Sequence, residues 1–143
     1  MISNSDKKLL NETYKNASAA VETIYSMMDK VEDEELALDL TRQLGKYTSI
    51  QDRAEEELIV SGERPSSSGV KNMWRKFTAF RKTMGKRKAS DAANMLIKEN
   101  TGRIISTTKI LHDNISAKKE YCELADELMD FEQRNISRMR NYL

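Results

Sequence analysis

The sequence predicts an all-α protein, an antiparallel four-helix bundle with one long connection. Three observations carry this. Ala, Leu, Met, Glu, Lys and Arg are abundant, while the 143 residues include one Pro and five Gly. Apolar residues recur at alternating spacings of three and four, the period of a helix with one buried face. Turn residues cluster in only a few places, so the helices are long. The length is one domain's worth, on a usual roughly 100–200 residues per domain. Residues 1–143 therefore read as a single bundle domain, large enough to bury a core without staples.

The first helix is expected over residues 5 to 29, with the stripe Leu10, Tyr14, Ala17, Val21, Ile24 and Met28 and with Ser5 as N-cap. The second is expected over 33 to 61, with the stripe Leu36, Leu40, Leu44, Tyr47, Ile50, Ala54 and Leu58. Asp33, Glu34 and Glu35 fall in its first turn, where the helix dipole favours acids, and Gly62 stops it. The next stretch holds the only proline, Pro65, and three consecutive serines, and reads as a connector. A short basic amphipathic helix follows over about 70 to 84, with Val70, Met73, Phe77, Phe80 and Met84 on one face. The fourth segment runs over 90 to 113, started by Ser90 or Asp91, with the stripe Ala93, Ile97, Thr101, Ile104, Thr108, Leu111 and Ile115. The fifth runs over 116 to 142, with the stripe Tyr121, Leu124, Leu128, Phe131, Asn135, Met139 and Tyr142. Tight links near 30–33 and 113–117 make each outer pair antiparallel. The long connection over 62–89, carrying the short fifth helix, makes the arrangement ferritin-like.

Composition excludes several classes. Hydrophobic residues are 38% and charged residues 33%, with 24 basic against 23 acidic, which excludes collagen-like, disulfide-rich and disordered chains. The lone Cys122 has no internal disulfide partner, and the first residues carry no apolar signal segment, so a cytoplasmic setting is expected. No apolar run approaches the roughly 18 residues of a membrane span.

Ferritin-like enzymes hold two metals with a Glu from each of two helices and a Glu-x-x-His pair from each of the others. This chain has one histidine, His112, in no such pair. Glu22 lies about 130° and Glu99 about 160° from the centres of their stripes, so both are expected in water. Gln51 stands on the second helix where a ligand is wanted, and only Glu132, with Asn135 three residues on, keeps a core-facing fragment. Gln51 and Glu132 are thus the weak metal candidates, and no cofactor is expected. A polar layer across the interior is expected instead, built from Gln51, Asn94, Thr101, Glu132 and Asn135, with Thr13, Gln43 and Thr108 as further partners. It either sets register or lines a small-ligand pocket. Cys122 and His112 near the last hairpin could approach one another, but no orienting group or oxyanion site accompanies them.

The sharpest local feature is charge. Residues 64–90 hold nine basic residues and no acid. The remaining 15 basic residues face 23 acids, a balance of −8, so a near-neutral chain is strongly asymmetric. Lys71, Trp74, Arg75, Lys76, Arg81 and Lys82 form the expected interaction surface. It suits an acidic protein, a second copy of the chain or an anionic membrane surface. Its aromatics share one helix face rather than standing as base-stacking platforms, which disfavours nucleic acid.

Several features carry a family resemblance: Val31-Glu32-Asp33, Leu44 and Tyr47, Gly62 with Pro65, Met95-Leu96-Ile97, Asn100-Thr101-Gly102, and Glu132-x-x-Asn135-Ile136-x-x-Met139-x-x-Tyr142-Leu143. In their order the chain resembles an uncharacterised bacterial family of small helical proteins within the ferritin-like, rubrerythrin-like group. The resemblance covers nearly the whole chain. It implies an up-down bundle with a crossover, often dimeric, with a di-iron centre in the active members. At every ligand position but Glu132 this chain departs from them. The expected function is therefore a non-enzymatic structural or interaction protein, most simply a homodimer. The alternatives are a divergent metal-binding oxidoreductase or metal-handling protein, and a small-molecule binder using the polar layer.

Overall fold

The computed structural model describes residues 2–65 and 88–143. Among them are four α-helices and no strand. They are α1 (Asn4–Met28), α2 (Glu34–Val60), α3 (Ala89–Asp113) and α4 (Lys119–Met139), and a 3-10 turn at Arg140–Tyr142 closes the chain. The expected short helix over 70 to 84, with Lys71, Trp74, Arg75, Lys76, Arg81 and Lys82, lies outside the described residues. No described helix is long and apolar enough to cross a membrane.

The cap of α1 is Ser3 rather than Ser5. Its hydroxyl accepts from the Asp6 N–H while Asp6 accepts from the Ser3 N–H, each at 3.0 Å, a reciprocal pair that meets two otherwise unpaired donors. Asp33 caps α2 by accepting from the Leu36 N–H at 2.8 Å, one residue before the acids that face the dipole. Gly62 ends α2 at φ +80°, a left-handed conformation free of Cβ strain only for glycine. There the Glu63 N–H reaches back to the Leu58 carbonyl at 2.8 Å. The start of α3 differs from expectation: Lys88 is the cap and no side chain bonds there.

Cross-helix bonds fix the directions. Glu63 at the end of α2 pairs with Lys7 at the start of α1 at 3.0 Å, so α1 and α2 are antiparallel. Asp6 accepts from the Lys118 N–H at 2.7 Å, so α1 and α4 begin at the same end. Tyr121 donates to Glu57 at 3.1 Å, whereas Arg138 meets Asp39 at 3.9 Å, so α4 runs against α2. Ala89 opens α3 beside Asp33 and Glu35, which open α2. Hence α2 and α3 are parallel, and the end of one and the start of the next lie at opposite ends of the bundle, as a long crossover requires.

The core runs the length of the bundle. Leu9, Leu10, Ile24, Met27, Leu36, Leu40, Ile50, Leu58, Leu96, Leu128 and Met139 are fully enclosed. Each such side chain contributes roughly 1.5–3 kcal/mol by leaving water. The stripes expected for α2 and α4 lie on the buried face, with Leu44 and Tyr142 half-buried at its margins. On α1 the buried face is wider than one stripe and adds Thr13, Asn16, Ala20 and Met27, because α1 touches all three other helices.

On α3 the stripe is displaced by one residue. Its buried face is Ala92, Ala93, Leu96, Asn100, Arg103, Thr107 and Leu111. Ile97, Ile104 and Thr108 are only half-buried, and Thr101 is exposed. The apolar residues were the wrong guide here, because the interior at this level is polar and charged.

Candidate functional site

Halfway along the bundle the core turns polar. Glu132 on α4 is 0% exposed, as is Asn135, one turn further on. Asn100 and Arg103 come from α3 and Tyr47 from α2, all buried. Arg103 donates through Nε to Glu132 Oε2 at 2.9 Å and through Nη2 to Asn100 Oδ1 at 2.5 Å. Its Nη1 lies 3.5 Å from Glu99 Oε2. Tyr47 donates to Asn100 Oδ1 at 3.0 Å and accepts from Asn135 Nδ2 at 3.1 Å. The guanidinium also sits over the Tyr47 ring, 5.7 Å from its centroid. Phe131 meets the same ring edge-to-face at 5.0 Å and walls the centre on its apolar side.

Arginine sets the polarity of this network. It can only donate, so the Asn100 oxygen must face it. That oxygen also takes the Tyr47 proton, and the Tyr47 oxygen is then free to accept from the Asn135 amide. Among the described residues, Asn100 Nδ2, Glu132 Oε1 and Asn135 Oδ1 are buried with no hydrogen-bond partner, and Glu99 Oε2 has only the ion-pair contact with Arg103.

The electrostatics follow from burial. Burial pushes the Glu132 carboxyl up to about 7, against the pull of Arg103, and nearby Glu99 adds to the rise. Burial opposes the Arg103 charge too, but Glu132, Tyr47 and Glu99 outweigh it, and the guanidinium holds its proton more firmly than usual. Burial and then the Glu132 charge drive the Tyr47 hydroxyl far above the usual tyrosine range, so it stays protonated.

Of the expected polar layer, Glu132 and Asn135 are at its heart. Gln51 is half-buried and donates instead to Ser18 on α1 at 2.8 Å. Asn94 and Thr101 do not belong: both are exposed, and the Thr101 hydroxyl bonds its own helix at Ile97. Thr13 and Gln43 are buried, and Thr108 is half-buried against the Met129 sulfur at 3.2 Å. Glu22 and Glu99, expected in water, are half-buried, and burial raises the Glu22 carboxyl. Asn100, Arg103 and Glu99 were missed, all on the helix whose face was misphased. A second polar seam joins α1 to α3: Asn16 donates to Thr107 at 2.9 Å and Ser106 to Glu12.

The metal candidates do not fit a metal. Gln51 faces Ser18, and Glu132 is held by a fixed positive charge that a divalent cation would have to displace. Among the described residues no three side chains of His, Cys, Asp and Glu converge as ligands. Cys122 turns its thiol to the Ala117 carbonyl at 3.6 Å, and burial raises that thiol, while His112 is exposed. A thiol made harder to ionise is a poor nucleophile.

One surface feature accompanies the centre. A groove of about 390 Å³ between α2 and α4 is lined by Glu56, Glu57, Glu120, Glu123 and Glu127, with Arg53 as the one cation in its lining among the described residues. Arg53 and Lys46 both pair with Glu127. Glu123 pairs with Lys119 at 3.7 Å, and Glu57 accepts from Tyr121, so with five glutamates in its lining the groove is still acidic.

No family model matches the chain, and no curated protein and no solved structure matches it.

Proposed function

We propose that the chain is a non-enzymatic interaction protein on a ferritin-like bundle, self-associating as a dimer through its basic segment. The observation that carries this reading is the segregation of charge: nine cations and no acid in residues 64–90, against a balance of −8 elsewhere. The acidic α2–α4 groove supports it, since a second copy brings both the cations and a surface of opposite sign. The parallel run of α2 and α3 supports the ferritin-like connectivity. The Arg103–Glu132 pair supports a non-catalytic interior, because the one acid at the heart of the core is engaged by the protein itself. A reducing, cytoplasmic setting suits the single cysteine.

The test is charge reversal of Arg75, Lys76, Arg81 and Lys82 to Glu, read by light scattering after size exclusion and by circular dichroism. The wild type is expected at twice the 16.5 kDa chain mass. The variant is expected as a monomer of unchanged helicity. A monomeric wild type, or a variant that stays dimeric, refutes the reading.

A further inference from the structure

We infer that Arg103 is a counter-ion switch: with Glu132 ionised its guanidinium is held across to α4, and with Glu132 protonated it closes on Glu99 of its own helix. Three distances carry the inference. Nε donates to Glu132 Oε2 at 2.9 Å, and Nη2 donates to Asn100 Oδ1 at 2.5 Å. The third edge, Nη1, faces Glu99 Oε2 but stops at 3.5 Å, and that oxygen is enclosed with no hydrogen bond. A charge-assisted N–H···O bond is about 2.7–2.9 Å long, so the guanidinium engages the inner acid and falls short of the outer one by roughly 0.7 Å. Glu99 stands four residues before Arg103, the favourable order for an acid and a base on one helix.

One cation here serves two acids. With both ionised the centre carries an excess negative charge, and a proton on either acid removes it. Burial decides which acid takes the proton: 36% of the Glu99 side chain meets solvent, and none of Glu132 does. The titratable groups that face Glu132 are Arg103 and Glu99 on α3 and Tyr47 on α2, whose hydroxyl stays protonated. Among the described residues α1 brings no charge to it. Burial first, and then Glu99, push the Glu132 carboxyl up to about 7 against the pull of Arg103, so the exchange falls near neutrality. A neutral Glu132 can still accept from Nε through its carbonyl oxygen, but the stronger pull on the guanidinium is then that of Glu99. A charge contact between α3 and α4 becomes one within α3, while Asn100 keeps Nη2 in place.

The experiment is hydrogen exchange at the Arg103 guanidinium in the full-length, isotopically labelled protein at pH 5.5 and pH 8, each rate compared with that of free arginine at the same pH. The Glu132 carboxyl carbon, followed over the same range, reports the proton. The Nη1 protons are expected to be about tenfold better protected at pH 5.5 than at pH 8, the worth of one hydrogen bond to a charged group. The Nη2 protons, held by Asn100, should be equally protected at both. In Glu99→Ala the gain at Nη1 should vanish. In Glu132→Gln, which keeps the shape without the charge, Nη1 should be protected at both pH values. Protection at Nη1 that does not change with pH overturns the switch, and so does a gain that survives in Glu99→Ala. A Glu132 carbon that does not titrate between the two pH values overturns it as well. Should Glu132→Gln not fold, the wild type and Glu99→Ala, altered only at the rim, decide alone.

Discussion

Arg103 is the residue on which the interior charge balance turns. Its guanidinium bonds Glu132 and Asn100 and stacks over Tyr47, so one side chain ties α3 to both α4 and α2. Breaking a buried pair from one side leaves the other charge stranded, at a typical loss of 3–5 kcal/mol. Replacing both partners with apolar groups of similar volume is often neutral or stabilising by about 1–4 kcal/mol. Glu132→Leu, harmless if the carboxylate stood alone, is therefore expected to be damaging, because it strands Arg103. Urea unfolding at pH 8 should show Arg103→Met and Glu132→Leu each losing about 3–5 kcal/mol, with the double variant near the wild type. Losses that simply add would show that the two side chains do not act as a pair. At pH 5 the loss in Arg103→Met should shrink, because the abandoned carboxyl can take up a proton.

At the scale of elements, Asp6 links three pieces of chain. One carboxylate oxygen closes the cap of α1 on Ser3, and the other accepts from Lys118 at the start of α4. Burial works against its charge, but the donated N–H groups of Lys118 and Ser3 win, and its carboxyl sits below the usual range. Asp6→Ala removes both bonds and should lose about 1–2 kcal/mol, the magnitude of an N-cap loss. Asp6→Asn should recover part of this at neutral pH. Equal losses in both variants would mean that the charge, not the hydrogen bonding, is what matters. The hairpin of α3 and α4 also shows what was legible in the sequence. For the four described helices, order and bounds followed from periodicity and turns, to within three residues at each end. The phase of α3 did not, because its interior face carries Asn100, Arg103 and Thr107 while isoleucines lie beside it. The signal was available in the pairing. About the Ala117–Lys118 bond, Leu111 mirrors Leu124, Thr107 mirrors Leu128, Arg103 mirrors Glu132, Asn100 mirrors Asn135 and Leu96 mirrors Met139. A core-facing acid on α4 thus demanded a cation at its mirror position, and Arg103 is there. Residues on α2 such as Tyr47 were legible as core but not as hydrogen-bonding partners, since that depends on the level at which two non-adjacent helices meet.

For the whole molecule, the shifted acids set the pH dependence of folding. Glu132 gives up its proton near the ordinary 4.5 when unfolded and near 7 when folded. Below 4.5 both states hold the proton and the contribution is fully present. As pH rises from about 4.5 to 7 the folded state alone keeps it, and stability falls by on the order of 3 kcal/mol. Glu22, raised by burial, acts in the same direction. Asp6 has the opposite sign, and its contribution is lost only as pH falls through its depressed folded value. Cys122, Tyr121 and Tyr142, all raised first by burial, subtract further stability only in the alkaline range. The stability maximum is therefore expected on the acid side of neutrality, between the windows of Asp6 and Glu132. Urea midpoints at pH 5, 6, 7 and 7.5 should decline steadily in the wild type. In Glu132→Gln the decline should flatten, whatever that variant's absolute stability, because the titrating group is gone while its shape remains. A wild-type profile that rises toward pH 7.5, or a variant with the wild-type slope, would place the buried carboxylate in its ionised form throughout. Arg103 would then be a full counter-ion rather than a partial one.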